Sequence, residues 1–288
     1  MPMNSTPDIR LFVACHKLFP VPENELLYPI HVGAALSDVN ISGYLRDDAG
    51  ENISARNRSY CELTGQYWAW KNVDADFYGF FHYRRYLYPD PDAKYPYIIS
   101  SEPTEQVLKW LEFQRFPQLI EQYEMIAPIG EDMHISVREH YLTSRFHHAK
   151  DIFLLEQIVR ELYPTYVPAM EGYFGGSICY FGNMYIMAKP VFDDYCQWLF
   201  SILEEFDRRA DLTGYGMQER RVDGFLAERL FGVYYTHRKA ELKCIELPRI
   251  FFEPDTQIRV KKKSFNAFFP PGTKRRAAVK KIFTKIQK

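Results

Sequence analysis

Phe77-Tyr78-Gly79-Phe80-Phe81-His82-Tyr83-Arg84-Arg85-Tyr86 is the stretch of sequence that decides the fold of this chain. Its first half is a short apolar, aromatic run, which is typical of a buried strand. Its second half places one imidazole and two guanidinium groups where that strand would end. Because ligands of open α/β sheets bind outside the carboxyl ends of the strands, the segment predicts an anion site, most simply for phosphate or diphosphate. Taken alone, the segment also fits ordinary surface salt bridges made by Arg84 and Arg85, with His82 packed beside them.

Strand-like and helix-like segments alternate along the rest of the chain. The pattern predicts strands at about 9–15, 77–81, 125–127, 183–187 and 244–247, and helices at about 59–71, 105–124 with a break at Pro117, 150–162, 190–206 and 222–231. Ser59 and Glu62 have the spacing of a capping box. This spacing gives Glu62 a purely structural interpretation, in which its side chain only stabilises the start of its helix. This alternation predicts an α/β fold with a mostly parallel sheet flanked by helices, in a single domain over residues 1–258.

Composition and cysteine usage narrow the class of protein. Hydrophobic residues make up 47% and charged residues 25%, as in an ordinary soluble domain, and no apolar run approaches the roughly 20 residues of a membrane span. The N-terminus lacks the basic region and apolar stretch of a secretory signal. The 5 cysteines form no Cys-x-x-Cys pair. We therefore expect a reducing, cytoplasmic location, and neither a disulfide framework nor a zinc site.

Charge is distributed unevenly along the chain. Residues 259–288 carry eleven Lys or Arg and no Asp or Glu, whereas the whole chain has a net charge of −1, so the body is acidic. Apolar residues of this tail form a helical stripe among lysines, which predicts contact with an anionic membrane surface. A solvated tail is the alternative. Nucleic acid is not expected as a partner, because the acidic body offers no second basic surface.

Two groups of carboxylates are candidates for chemistry. Asp74-Ala75-Asp76 has the Asp-x-Asp spacing of a metal and nucleotide motif, but it precedes the strand and would lie at the opposite edge of the sheet. Asp223 lies near a helix start, where it can act as a general base or as a helix N-cap. Glu228 on the same helix is a secondary candidate or a solvated surface residue. No Gly-rich phosphate loop is present.

An ordered series of motifs resembles a bacterial family of galactofuranosyltransferases, formerly a domain of unknown function, found in capsule, exopolysaccharide and O-antigen gene clusters. The resemblance covers about residues 9–250 and is carried by Tyr28–Ala34, Asp47–Asn57, Ser59–Thr64, Trp68–Asn72, Gly79–Tyr86, Gly182–Met187 and Gly224–Leu230. It implies a GT-A-like, Rossmann-like fold and UDP-galactofuranose as the donor. It also implies inverting transfer to a glycan acceptor carried on a polyprenyl diphosphate.

The resemblance also assigns roles to residues. The segment Asp223-x-x-Leu226-x-x-Arg229 looks like the helix that presents the catalytic base of GT-A enzymes. Where those enzymes place Asp-x-Asp after a strand, this chain has His82-Tyr83-Arg84, so no metal ligands are predicted and a divalent cofactor (Mg²⁺ or Mn²⁺) stays open. The predicted donor-binding residues are His16, Lys17, His82, Arg84, Arg85 and Asn183, and the secondary or acceptor candidates are Tyr83, Gly175, Gly176 and Glu228.

Fixed cations can replace a metal ion in this chemistry. UDP leaves readily only when its developing charge is neutralised, and Arg84, Arg85 and His82 can do this. Because adjacent strand residues point to opposite faces, only one arginine should face the ligand unless the strand end bends. The predicted protein is therefore a peripheral glycosyltransferase on the inner face of the bacterial cytoplasmic membrane. The alternatives are a transferase of the same fold that uses another UDP-sugar, such as UDP-galactopyranose or UDP-glucose, and a non-catalytic glycan- or nucleotide-binding protein.

Overall fold

A computed structural model describes residues 6–93, 95–100 and 115–252. The strands are β1 (Ile9–Cys15), β2 (Leu27–His31), β3 (Leu45–Arg46), β4 (Phe77–His82), β5 (Arg85–Leu87), β6 (Tyr97–Ser100), β7 (Met125–Pro128), β8 (Glu131–Asp132), β9 (Ile178–Cys179), β10 (Tyr185–Ala188), β11 (Cys244–Leu247) and β12 (Arg249–Phe252). The helices are α1 (Asn57–Tyr60), α2 (Leu63–Asn72), α3 (Phe116–Ile120), α4 (Val137–Thr143), α5 (Ala149–Leu162), α6 (Val167–Gly175), α7 (Lys189–Arg209) and α8 (Val222–Arg238).

The central sheet has the strand order β11-β7-β10-β4-β1-β2-β3. Strands β3, β2, β1 and β4 are mutually parallel, and β7 and β11 are parallel to each other. Only β10 on this path runs in the opposite direction, since it pairs antiparallel with both β4 and β7. The predicted α/β class with a mostly parallel sheet is therefore confirmed.

The order of these strands creates a crevice at one edge of the sheet. From β1 the chain proceeds outward through β2 and β3, and then returns to place β4 on the other side of β1. The carboxyl ends of β1 and β4 are thus neighbours at a topological switch point, which is where open α/β sheets bind ligands. Because β10 is antiparallel, the turn that precedes it lies at this same edge.

Apolar side chains on both faces of the sheet hold these strands in place. On one face, Tyr78 and Phe80 of β4 pack with Phe192 of α7 in a core to which seven of the described helices contribute. On the other face, Phe81 packs with the strands β5 and β12 and with α3. Glycine is required at position 79 because the Leu11 side chain of the neighbouring strand β1 occupies the space beside it. A Cβ atom on Gly79 would lie 2.4 Å from Leu11 Cδ2. A strand buried on both faces explains why its sequence is a continuous apolar run.

Two expectations about local structure need correction. Ser59 does not cap a helix, since it lies inside α1, which ends before Cys61 at φ 53°. Glu62 precedes α2 but makes no side-chain cap. Pro117 lies in the first turn of α3, where proline is well accommodated.

Part of the predicted organisation falls on residues that the structure does not describe. The basic tail at 259–288 and the first part of the helix predicted at 105–124 lie outside the described residues. Within the described ranges, no helix combines the length and the apolar character needed to cross a membrane.

Candidate ligand-binding site

A cavity of about 1070 Å³ opens at the carboxyl ends of β1 and β4. Residues from the ends of both strands line it, together with α1, the turn before β10 and the start of α8. Its charged lining is dominated by cations and histidines, which are His16, Arg58, His82, Arg84, Arg85, Arg220 and Arg221, against two carboxylates, Glu62 and Glu228. The composition of this lining suits an anionic ligand.

The end of β4 bends sharply, which brings both of its arginines to the cavity. The chain reverses through a two-residue turn at Tyr83 and Arg84, and β5 begins with Arg85 paired to His82. Arg84 and Arg85 therefore both line the cavity, and the strict alternation expected along a straight strand does not apply. His82 lines the cavity as well, and its Nε2 lies 2.5 Å from the carbonyl oxygen of Gly182.

The five arginines of the cavity share one property. Within the described ranges, none of them forms an ion pair with a carboxylate, whereas arginines elsewhere do, as Arg138 does with Glu156 at 2.7 Å. The Nε atom of Arg84 is buried and has no hydrogen-bond partner among the described residues. Guanidinium groups that lack a carboxylate partner remain available for a phosphate or carboxylate of a ligand.

Three of these arginines were not predicted from the sequence as site residues. Arg58 belongs to α1, and Arg220 and Arg221 belong to the short turn that leads into α8. Arg221 also donates from Nε to the Sγ atom of Cys61 at 3.3 Å. Burial raises the pKa of the Cys61 thiol to about 12, so Cys61 is not a nucleophile at neutral pH. The only sequence signal for this group is the adjacent pair of arginines before the helix.

Aromatic rings accompany the cations at the end of β1. The His16 ring lies edge-on to Tyr83, which also contacts Phe19, and the Arg84 guanidinium lies over both Tyr83 and Phe19. Burial, together with the charges of Lys17 and Arg84, lowers the pKa of His16, so its imidazole is neutral at pH 7. Tyr83 lines the cavity, while Lys17 is exposed and is not among the lining residues.

The turn before β10 holds both carboxylates of the cavity. The Gly182 amide donates to Glu228 Oε1 at 2.8 Å, and Asn183 Nδ2 donates to Glu62 Oε1 at 2.7 Å. Asn183 has a left-handed backbone (φ 47°) and is buried, and its carbonyl oxygen accepts a hydrogen bond from Gln66. Asn183 therefore lies behind the cavity wall, where it positions Glu62 instead of lining the donor site.

Asp223 is fully buried, at 0% exposure, and does not line the cavity, although its neighbour Gly224 does. Its Oδ2 atom accepts a very short hydrogen bond from Ser59 Oγ, and its Oδ1 atom has no partner among the described residues. Burial raises its pKa from 3.8 to about 6, against the opposing effect of the Ser59 hydrogen bond. It does not cap α8 either, because Arg221 occupies the N-cap position. The expected base thus has a raised pKa but is not placed to contact a substrate.

Other predicted candidates lie away from the cavity. Gly175 and Gly176 are exposed at the end of α6 and are not among the lining residues. Asp74 and Asp76 precede β4, as expected, and are engaged at the amino end of the sheet. Asp74 pairs with Lys189, and Asp76 Oδ2 accepts a hydrogen bond from the Asp8 amide at 2.8 Å.

The residues present do not fit a resident divalent cation at the end of β4. Mg²⁺ and Mn²⁺ prefer carboxylate, carbonyl and water oxygens, and this strand end supplies guanidinium and imidazole groups instead. Of the two carboxylates lining the cavity, Glu228 is already paired with the buried Arg229, at 2.8 Å. Across the part of the chain that the structure describes, no cluster of three His, Cys, Asp or Glu side chains is arranged to hold a metal ion.

The chain is thus an α/β protein with an arginine-rich cavity at the carboxyl edge of its sheet. Residues 10–239 match the model of a family described as a domain of unknown function, DUF4422, and the chain belongs to that family. No curated protein matches the chain.

Among solved structures, the chain is similar to the apo structure of WbbM, a bifunctional glycosyltransferase. The two share 32% sequence identity and superpose with a TM-score of 0.80, over 85% of this chain and 45% of that one. The chain therefore has a glycosyltransferase fold, and it spans less than half of the WbbM chain.

Proposed function

We propose that this protein is an inverting glycosyltransferase that transfers galactofuranose from UDP-galactofuranose to a glycan acceptor during the synthesis of a bacterial surface polysaccharide. The observation that carries the proposal is a set of arginines that line the cavity and pair with no carboxylate among the described residues. They lie at the edge of the sheet where α/β folds bind nucleotides. Similarity to a bifunctional glycosyltransferase supports sugar transfer. The choice of galactofuranose as the sugar is supported by the resemblance of the sequence motifs to those of galactofuranosyltransferases.

The charge of the cavity suits the leaving group of such a reaction. Negative charge develops on the diphosphate as its bond to the sugar breaks, and donors that are already oriented stabilise it without reorganisation. Arg84 lies in the tight turn after β4, and Arg85 is the first residue of β5. The fold therefore fixes the backbone positions of both arginines. We propose that they and His82 receive the diphosphate of the donor, and that the ring cluster of His16 and Tyr83 lies beside the nucleoside.

The decisive experiment compares donors with and without a chelator. Purified protein is incubated with UDP-galactofuranose, UDP-galactopyranose or UDP-glucose and a glycan acceptor, in the presence or absence of EDTA. We expect product from UDP-galactofuranose alone, at a rate that EDTA leaves unchanged. Product from another donor would revise the sugar, and loss of activity in EDTA would reject the metal-independent role of the arginines. If no donor is transferred or hydrolysed, the protein is a binding protein and not an enzyme.

We further propose that the protein works at the inner face of the cytoplasmic membrane on a lipid-linked acceptor. The support is the basic, amphipathic sequence at 259–288, which lies outside the described residues. Deletion of this segment should abolish sedimentation with vesicles that contain anionic lipid and leave the melting temperature unchanged. Equal sedimentation of the truncated and full-length chains would refute the proposal.

A further inference from the structure

Glu62 is the cavity carboxylate that forms no ion pair among the described residues, although its charge interacts at longer range with the Arg221 guanidinium. It follows the sharp break at Cys61 (φ 53°), which separates α1 from α2 and directs the chain toward the cavity. The hydrogen bond described for its side chain comes from the neutral amide of Asn183 to one oxygen, Oε1. Within the described ranges, no ion pair engages Glu62.

Asn183 holds this carboxylate in a defined place. It is buried in a left-handed conformation, and its side-chain amide also donates to the carbonyl oxygen of Gly224 at 3.3 Å. Its own carbonyl oxygen accepts from Gln66 Nε2 at 3.1 Å, which links the turn to α2. A side chain oriented by partners that are themselves locked is the arrangement that chemistry at a defined atom requires.

The two other acids near the cavity lack one of these properties. Glu228 also lines the cavity, but one of its oxygens accepts from the Gly182 amide and the other pairs with the buried Arg229. Asp223 is buried at 0% exposure behind the wall. Glu62 alone, among these three, lines the cavity, is held at one oxygen and forms no direct ion pair with a described residue.

We propose that Glu62 is the general base that removes the proton from the acceptor hydroxyl. The inference rests on the proposed function and concerns the same cavity. In this step, the acceptor O–H bond breaks and its proton passes to Glu62. The acceptor oxygen forms a bond to the anomeric carbon, and the bond from that carbon to the diphosphate breaks. Its electron pair leaves with the diphosphate, and the configuration at carbon is inverted.

The test compares Glu62→Gln with the wild-type protein in sugar transfer and in binding of UDP. Glutamine keeps the shape and the acceptor oxygen for Asn183, but it cannot take a proton at neutral pH. Because a general base contributes about 10² to 10⁴ in rate, we expect kcat to fall by at least about 100-fold. The affinity for UDP, measured by calorimetry, should stay within about threefold. Glu62→Asp should recover part of the lost rate, and the acidic limb of the pH–rate profile should disappear in Glu62→Gln.

A matched control and separate outcomes make the result decisive. Glu204→Gln removes an exposed glutamate of α7 outside the cavity and should leave kcat unchanged. A Glu62→Gln variant that keeps kcat within about threefold would overturn the inference while leaving the proposed function intact. Failure of the wild-type protein to consume any donor would instead reject the proposed function and the inference with it.

Discussion

The two ends of β4 carry opposite charges and teach how position decides the role of a charged motif. Before the strand, Asp74 is paired with Lys189 and Asp76 is bonded to the backbone of Asp8, so both acids serve the structure around them. After the strand, Arg84 and Arg85 line a cavity and pair with no carboxylate among the described residues. The Asp-x-Asp spacing is present, but at the end of the sheet where ligands do not bind.

The comparison is tested most strongly by removing the cations after the strand. Arg84→Ala combined with Arg85→Ala should weaken UDP binding by about 10² to 10⁴, since a hydrogen bond to a charged group contributes about 1.5–3 kcal/mol. Titration calorimetry at low salt measures this loss. The matched control is Arg145→Ala with Arg160→Ala, which removes the same charge outside the cavity and should leave the affinity unchanged. Equal losses in both double variants would mean that net charge, and not this site, attracts UDP.

Asp223, which is buried behind the cavity wall, should make the stability of the protein depend on pH. Its pKa is raised from 3.8 in the unfolded chain to about 6, so the folded state holds the proton more tightly. The free energy of unfolding therefore falls as pH rises from about 4 to about 6, and the loss of about 3 kcal/mol is fully present above pH 6. Asp223→Asn cannot ionise.

We compare the free energies of unfolding of Asp223→Asn and wild type by urea unfolding. Between pH 4 and pH 7.5, the difference between them should shift by about 3 kcal/mol in favour of the variant. A stability difference that does not change with pH would show that Asp223 is ionised without penalty. Such a result would also mean that its carboxylate is more accessible to water than its position behind the cavity wall implies.

His82 should have a smaller effect, because it acts through one hydrogen bond. Its Nε2 contacts the carbonyl oxygen of Gly182, in the turn that holds Glu62 and Glu228. Loss of a neutral hydrogen bond costs about 0.5–1.5 kcal/mol, so His82→Ala should weaken UDP binding by about 2- to 10-fold. His82→Gln, which retains a donor, should lose less. A loss as large as that of the double arginine variant would contradict this ranking and show that His82 contributes as much to the diphosphate site as both arginines together.

The smallest effect is expected at the beginning of β4. Asp74→Asn removes an exposed ion pair with Lys189, and such pairs contribute little in water. UDP affinity and the rate of transfer, with or without added Mn²⁺, should stay within about twofold of wild type. A loss of Mn²⁺-dependent activity would instead assign the Asp-x-Asp motif a catalytic role and contradict the comparison.

The sequence predicted the elements that follow from local patterns. Strand β4 can be recognised by its continuous apolar run, because both of its faces are buried, and α7 by its amphipathic stripe, because only one of its faces is buried. His82, Arg84 and Arg85 were assigned to a site for the same reason, since they follow directly from a recognisable strand. The rule that ligands bind at the carboxyl ends of strands predicted where these residues lie, but it is the turn at Tyr83 and Arg84 that brings both arginines to one cavity.

Residues brought together by distant parts of the chain could not be predicted in this way. Arg58 and Arg221 belong to elements separated by more than 160 positions, and only tertiary packing places both beside the end of β4. Glu62 fits a capping box by spacing, whereas the left-handed Cys61 ends α1 and turns Glu62 toward Asn183. Asp223 has the expected place in α8, but the packing of α1 against α8 buries it.

The two-residue turn at Tyr83 and Arg84 also sets the conformational entropy of the site. The backbone on either side belongs to paired strands, with β4 held by β1 and β10, and β5 held by β12. A ligand that binds there orders side chains and leaves the backbone as it is, so little chain entropy is lost on association. The backbone of the proposed anion site is therefore preorganised for binding.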